Sequence, residues 1–196
     1  MGRIVVSEFV SLDGVMEDPG GAEGFSHGGW AFQFDRGPEG DKFKLDEVME
    51  AEALLLGRVT YQGFAKAWPS RTDEVGFADK MNGMPKYVVS ATLDKAEWNN
   101  STMITGDVVQ EVSKLKEQLG GDILVAGSGR LVHTLMEHDL VDEYRLMVFP
   151  LVLGAGKRLF ENMGRKAALS LVEEKPVGSG VLILVYRPAR GAQRPG

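Results

Sequence analysis

A mostly parallel α/β fold is predicted, a central sheet with helices on both faces and an antiparallel hairpin at its end. Three features of the 196-residue sequence predict it. Strand and helix patterns alternate from Arg3 to about Glu137. Two apolar strands, Leu54-Leu55-Leu56 and Ile123-Leu124-Val125, run through small residues straight into a helix carrying arginine. The last two strand patterns are joined by the short turn Gly178-Ser179-Gly180. Alternating β and α segments favour a parallel sheet sandwiched between helices, and a closing hairpin adds antiparallel strands at its edge.

Taken in order, residues 3–11 form a first buried strand, followed by a glycine-rich loop from about Met16 to Gly40. A loop of that length inside a compact domain is expected to be a lid or a binding loop. Trp30, Phe32 and Phe34 could close over a flat ligand, or simply pin the loop to the core. A helix over Asp41 to Ala51 leads to the strand 53–56, then come short helices at Thr60–Trp68, ended by Pro69, and at Asp73–Met81. Residues 86–90 read as a strand. The clearest helix covers 107–119, with Val108, Val112, Leu115 and Leu119 on one face, Asp107 as its cap and Gly120 as its stop. Strand 122–126, a helix to about Glu137, and strands near 142–149, 167–175 and 180–187 complete the pattern.

The composition, 43% hydrophobic and 26% charged with a formal net charge of −6, is that of a folded domain without a large nucleic-acid surface. We expect one domain over 1–188 and a flexible tail over 189–196. The absence of cysteine excludes disulfides, thiolate metal sites and a cysteine nucleophile. His133 and His138 lie five apart, off the spacing that puts two ligands on one helix face, and His27 stands alone in the loop, so no metal is expected. The chain opens directly on a strand pattern and contains no membrane-spanning stretch, which makes the cytoplasm the expected location.

A strand that ends in glycine lets backbone N–H groups approach a ligand, and the helix that follows turns its unpaired N–H groups and positive dipole end toward an anion. Gly57-Arg58-Val59-Thr60 and Gly127-Ser128-Gly129-Arg130 both fit that description. Gly127, Ser128 and Gly129 supply donors, Arg58 or Arg130 supplies a cationic fork, and Thr60 supplies a hydroxyl that can also cap its helix. One such junction is weak, but two suggest a dinucleotide. The second is not a Rossmann fingerprint, because Val132 stands where a third glycine is required.

The ordered set Ser11-Leu12-Asp13-Gly14, Leu56-Gly57-Arg58-Val59-Thr60-Tyr61, Val88-Val89-Ser90, Val125-Ala126-Gly127-Ser128-Gly129-Arg130-Leu131 and Pro150 to Phe160 resembles the dihydrofolate reductase superfamily. Within it the chain is most similar to the C-terminal reductase domain of the bifunctional riboflavin-biosynthesis deaminase-reductase, over about residues 3–187. The resemblance implies the three-layer dihydrofolate-reductase-like sandwich and an NADPH-dependent reductase acting on a small heteroaromatic or polarised acceptor. It would place Gly57, Arg58 and Thr60 on adenosine-side phosphates, Ser90 near the 2′-phosphate and Ala126 to Leu131 at the pyrophosphate. Phe9, Asp13, Gly14 and Met16 would lie against the nicotinamide, and Trp30 and Phe34 beside the substrate. Asp41, at the family's distance before the Gly-Arg junction, is the first candidate proton donor, although it also reads as a helix N-cap. Asp13 is the second, although it also reads as a loop-capping residue, and Asp46 and Glu50 are further carboxylates in range. Lys157 and Arg158 are the available cations for a substrate phosphate. The deaminase half is missing, since no cysteine-based zinc motif is present. The resemblance also implies a homodimer. A nucleotide-binding module without turnover, and dihydrofolate reductase activity proper, are the alternatives.

Overall fold

The apolar alternation of the first strand is completed by neighbours on both sides, and the rest of the sheet is laid out from it. In the computed structural model, which describes residues 1–161, 164 and 166–189, β1 (Arg3–Ser11) lies between β5 (Asp122–Ala126) and β6 (Val141–Phe149), parallel to both. β2 (Ala51–Gly57) pairs with β5, β3 (Lys86–Val89) with β2, and β4 (Ser101–Ile104) with β3, all parallel. The hairpin β7 (Leu169–Val177) and β8 (Val181–Pro188) joins antiparallel through β8 to β6. The strand order is β4-β3-β2-β5-β1-β6-β8-β7.

Both faces are covered, as a parallel sheet requires. On one face, α4 (Val108–Gln118) and α5 (Gly129–Glu137) pack Val112, Leu115, Leu131, Val132 and Leu135 against Ile4, Val6, Ile123 and Val125. On the other, α1 (Gly37–Glu50), α2 (Arg58–Ala67) and α3 (Phe77–Gly83) pack Val48, Tyr61 and Met81 against Val5, Leu54, Leu56 and Leu124. A further cluster joins Trp30, Phe149, Val181 and Ile183 at the β6–β8 side.

The expected order of elements is present, with local differences, among them the helix expected from Asp73, which begins at Phe77 while Asp73 accepts from the Phe77 and Ala78 amides. The helix expected from Asp41 begins at Gly37, because Pro38 is well suited to a first turn. Asp41 is therefore a helix residue and not the N-cap. The strand β4, only Ser-Thr-Met-Ile, was not expected, since four residues give too few alternations to stand out. The loop after β1 is built rather than structureless. Asp18, 2% exposed, accepts hydrogen bonds from the Glu23 and Phe25 amides at 3.0 and 3.1 Å, and a 3-10 turn spans Trp30–Gln33. Of the expected flexible tail, Ala189 donates to the Ala168 carbonyl at 3.0 Å, and 190–196 lie outside the described residues.

Candidate functional site

The parallel strands β2, β3, β5 and β1 end along one edge of the sheet, and the two glycine-arginine junctions meet there. The Gly57 N–H donates to Ser128 Oγ at 2.8 Å, and the Ser128 N–H donates to Thr60 Oγ1 at 3.0 Å. Ser128 Oγ in turn donates to the Ala126 carbonyl at 3.1 Å. The two turns are thus stitched into one unit. Gly127 is required at the seam, because a Cβ there would stand 2.6 Å from Thr60 Oγ1 and its φ of +57° is left-handed.

This interlock revises several expected roles. Thr60 does not cap its helix, because α2 starts at Arg58; its hydroxyl oxygen accepts from the Ser128 amide, and its hydroxyl proton is left to donate. The hydroxyl of Ser128 is spent within the protein, and its amide with it. Leu131, 6% exposed, is a core residue under α5, and Ala126 contributes a carbonyl to the seam. Ser90, at the end of β3, accepts from the Thr92 and Leu93 amides through its hydroxyl and so holds its own turn. Available to a ligand are the first turns of α2 and of α5, whose N–H groups have no partner within the helix, and the hydroxyl proton of Thr60. Arg58 and Arg130 are exposed at those first turns, and neither forms an ion pair among the described residues.

β1 runs beyond β5. Its last β5 pair is Ser7 with Ala126, while on the other side pairing with β6 continues to Ser11. The β5-side edge of Glu8 to Ser11 therefore opens toward the junctions. Met16 and Gly14 close this end: Met16 is 8% exposed with its sulfur 3.2 Å from where a Gly129 Cβ would be, and Gly14 has a φ of +81°. Phe9 points to the opposite face, edge-on to Phe149 at 5.3 Å, with the cations of Arg36 and Lys44 at 5.4 and 5.1 Å from its ring centre. A cavity of about 190 Å³ lies there, lined by Phe9, Phe34, Arg36 and Asp41 among others.

Two carboxylates expected as acids are bound otherwise. Asp13 accepts from Ser11 Oγ at 2.6 Å and from the Leu153 and Gly154 amides. Those bonds, the Ser11 one foremost, pull its carboxyl down to about 2, so at neutral pH it has no proton to give. Asp41 does line the cavity, but its carboxylate is paired with Arg36 at 2.6 Å. Trp30, expected beside the substrate, is fully buried, stacks edge-on to Phe149 and donates its indole N–H to the Glu17 carbonyl at 2.9 Å. It pins the loop. Phe34 keeps its place in the cavity wall. Lys157, largely exposed, and Arg158 are ion-paired with Glu17 and Asp13, at 2.8 and 3.5 Å.

Sequence reading passed over three residues. Glu47 on α1, 2% exposed, accepts both 2.7 and 2.9 Å hydrogen bonds from Ser7 Oγ and is ion-paired with Lys44, whose Nζ also donates to Ser7 Oγ at 2.7 Å. Glu8, 6% exposed, is the third. Its signal was a charge at an inward position of an apolar strand. A larger cavity of about 650 Å³ lies between α2 and the 91–100 loop, lined by Tyr61, Lys66, Leu93, Lys95 and Trp98 among others, and by none of Gly57, Arg58, Thr60 or Gly127 to Arg130. No group of side chains able to hold a metal is present among the described residues.

Known proteins share this architecture. Residues 3–183 match the family described as the RibD C-terminal domain. The protein YyaP of Bacillus subtilis, itself uncharacterized, is 30% identical over 187 residues, 94% of either chain. A candidate riboflavin biosynthesis protein from Shewanella sp. PV-4 has the same fold at a TM-score of 0.76 and 20% identity, over 96% of this chain and 99% of that one. Dihydrofolate reductase from Enterococcus faecalis, solved with NADP(H), is more distant at a TM-score of 0.56 and 13% identity, over 95% of this chain and 96% of that one. The fold is thus dihydrofolate-reductase-like, and the chain belongs to the RibD C-terminal domain family.

Proposed function

We propose that the protein is a reductase that binds NADPH across the two stitched junctions and reduces a small heteroaromatic or polarised acceptor held beside Phe9 and Phe34. The observation that carries this reading is the seam itself. It brings two helix N-termini, each bearing an arginine without an ion pair, side by side, which suits a ligand with several phosphate oxygens. Family membership and the NADP(H) bound by the Enterococcus enzyme support the same cofactor. The donor set fits: first-turn amides without a partner inside their helices and two guanidinium groups without an ion pair. When bound, NADPH supplies the hydride. The chain's own residues bind its phosphates at α2 and α5, and Phe9, Phe34 and the Arg36–Asp41 pair shape the acceptor's side.

The test is a thermal-shift series. NADPH should raise the melting temperature more than NADH, and Arg58→Ala should remove that difference; equal or absent shifts would reject the cofactor. A second reading, a nucleotide-binding module without turnover, is favoured by Asp13 being held ionised and Asp41 being paired with Arg36. Any NADPH oxidation across a panel of pterins, pyrimidines and flavins, lost on Asp41→Asn substitution, rejects it. The reading includes a homodimer, supported by the exposed Leu171 and Val172 of the edge strand β7, and light scattering measures it.

A further inference from the structure

β1 places Ile4, Val6, Glu8 and Val10 on one face, and all but Glu8 are core residues under α4 and α5. Glu8 is as buried as they are, and its Oε1 has no hydrogen-bond partner. The Gly127 N–H is directed at its carboxyl group. Glu8 is the first residue past the last β1–β5 pair, where β5 turns away at Gly127 into the start of α5. It therefore sits beneath the turn that presents the phosphate-facing amides. Its face is opposite to that of Phe9, so it does not address the acceptor cavity.

A carboxylate at this depth with one oxygen unpaired is costly as an anion and tolerable as an acid. Burial pushes the Glu8 carboxyl well above the ordinary carboxylate range; the Gly127 amide and Lys44 of α1 oppose that, while Glu47 of α1 and Glu23 of the loop reinforce it. From α5, the charge that bears on it is the positive end of the helix.

We propose that Glu8 is a proton-linked affinity residue for the anionic cofactor: as the neutral acid it holds the Gly127 turn from beneath without charge, and as the carboxylate its buried charge under that turn repels the diphosphate. The proposal rests on the NADPH reading. It makes nucleotide affinity decline as pH rises through the titration of Glu8, and makes binding take up a proton in that range.

The experiment compares wild type with Glu8→Gln, binding NADP⁺ from pH 6 to 9.5, by the ratio of the two dissociation constants, which cancels the titration of the nucleotide's own phosphate. The ratio should be constant at low pH, and wild type should then fall behind by about tenfold, the usual size of such a coupling. The Glu8 carboxyl carbon, assigned in wild-type protein by its loss in the variant, should have the NMR shift of a neutral acid at pH 7. A flat ratio, or an ionised Glu8 at pH 7, overturns the proposal alone. Absence of binding by both proteins at every pH overturns the nucleotide reading and the proposal with it.

Discussion

At the amino-terminal end of the sheet, charged residues close on one another. Arg3 meets Asp122 at 2.8 Å, Arg145 meets Glu143 at 2.8 Å and Asp122 at 3.2 Å, and Arg187 meets Glu143 at 2.7 Å. At the carboxyl-terminal end, Arg58 and Arg130 have no ion pair among the described residues and Glu8 has an oxygen without a partner. The same strands, β1 and β5, contribute to both ends. The difference teaches where this fold places its unspent polar capacity. One end is saturated and holds strands together; the other holds its donors in position by bonding the residues beside them, the stitched hydroxyls of Ser128 and Thr60.

Breaking the saturated end should have the largest effect. Glu143 is 3% exposed; burial would raise its carboxyl, but hydrogen bonds from Arg187 and Arg145 outweigh that and hold it below its ordinary range. Glu143→Ala leaves the largely buried Arg145 without that partner, and should cost about 3–5 kcal/mol in denaturant unfolding. The nucleotide affinity of the folded fraction should stay unchanged. Gly127→Ala attacks the seam: the new Cβ meets Thr60 and the left-handed backbone is strained, so we expect a loss of about 1–3 kcal/mol together with weaker NADPH binding. Arg58→Ala reverses the balance, with stability within about 0.5 kcal/mol of wild type and NADPH affinity reduced about tenfold in calorimetric titration, NADH being affected less.

The smallest effect concerns acid. The Asp13 carboxyl lies at about 2 in the folded protein, below its ordinary 3.8. A group depressed in this way stabilises the fold above its unfolded value, and the contribution fades as pH falls from about 4 through 2. Asp13→Asn should therefore be less stable than wild type at pH 6, with the gap narrowing toward pH 2 in urea melts.

The layers of the fold were legible because they rest on local rules: Asp107 does cap α4 by accepting from the Gln110 amide at 2.9 Å, and the Gly178–Gly180 hairpin joins β7 to β8. The junctions were legible as glycine followed by arginine at strand ends. Their coupling was not, because a hydrogen bond from Ser128 to Thr60 spans 68 residues and leaves no periodic trace. Trp30 shows the complementary limit. An aromatic residue in a long loop reads equally as lid or anchor, and only its contact with Phe149 on β6 decides for the anchor. Glu8 was visible as a charge at an inward position of an apolar strand, but its role was not, and Glu47 sits among the other charges of α1 with nothing to single it out until Ser7 and Lys44 are seen beside it.

Backbone amide NMR of the labelled protein during NADPH titration tests the central contrast most directly. Shifts are expected at Arg58 and Val59 on α2 and at Gly129 and Arg130 on α5, with Arg3, Asp122 and Glu143 silent. Shifts confined to the Tyr61–Trp98 cavity or to the charged amino-terminal end, or no shifts at saturating nucleotide, would contradict it.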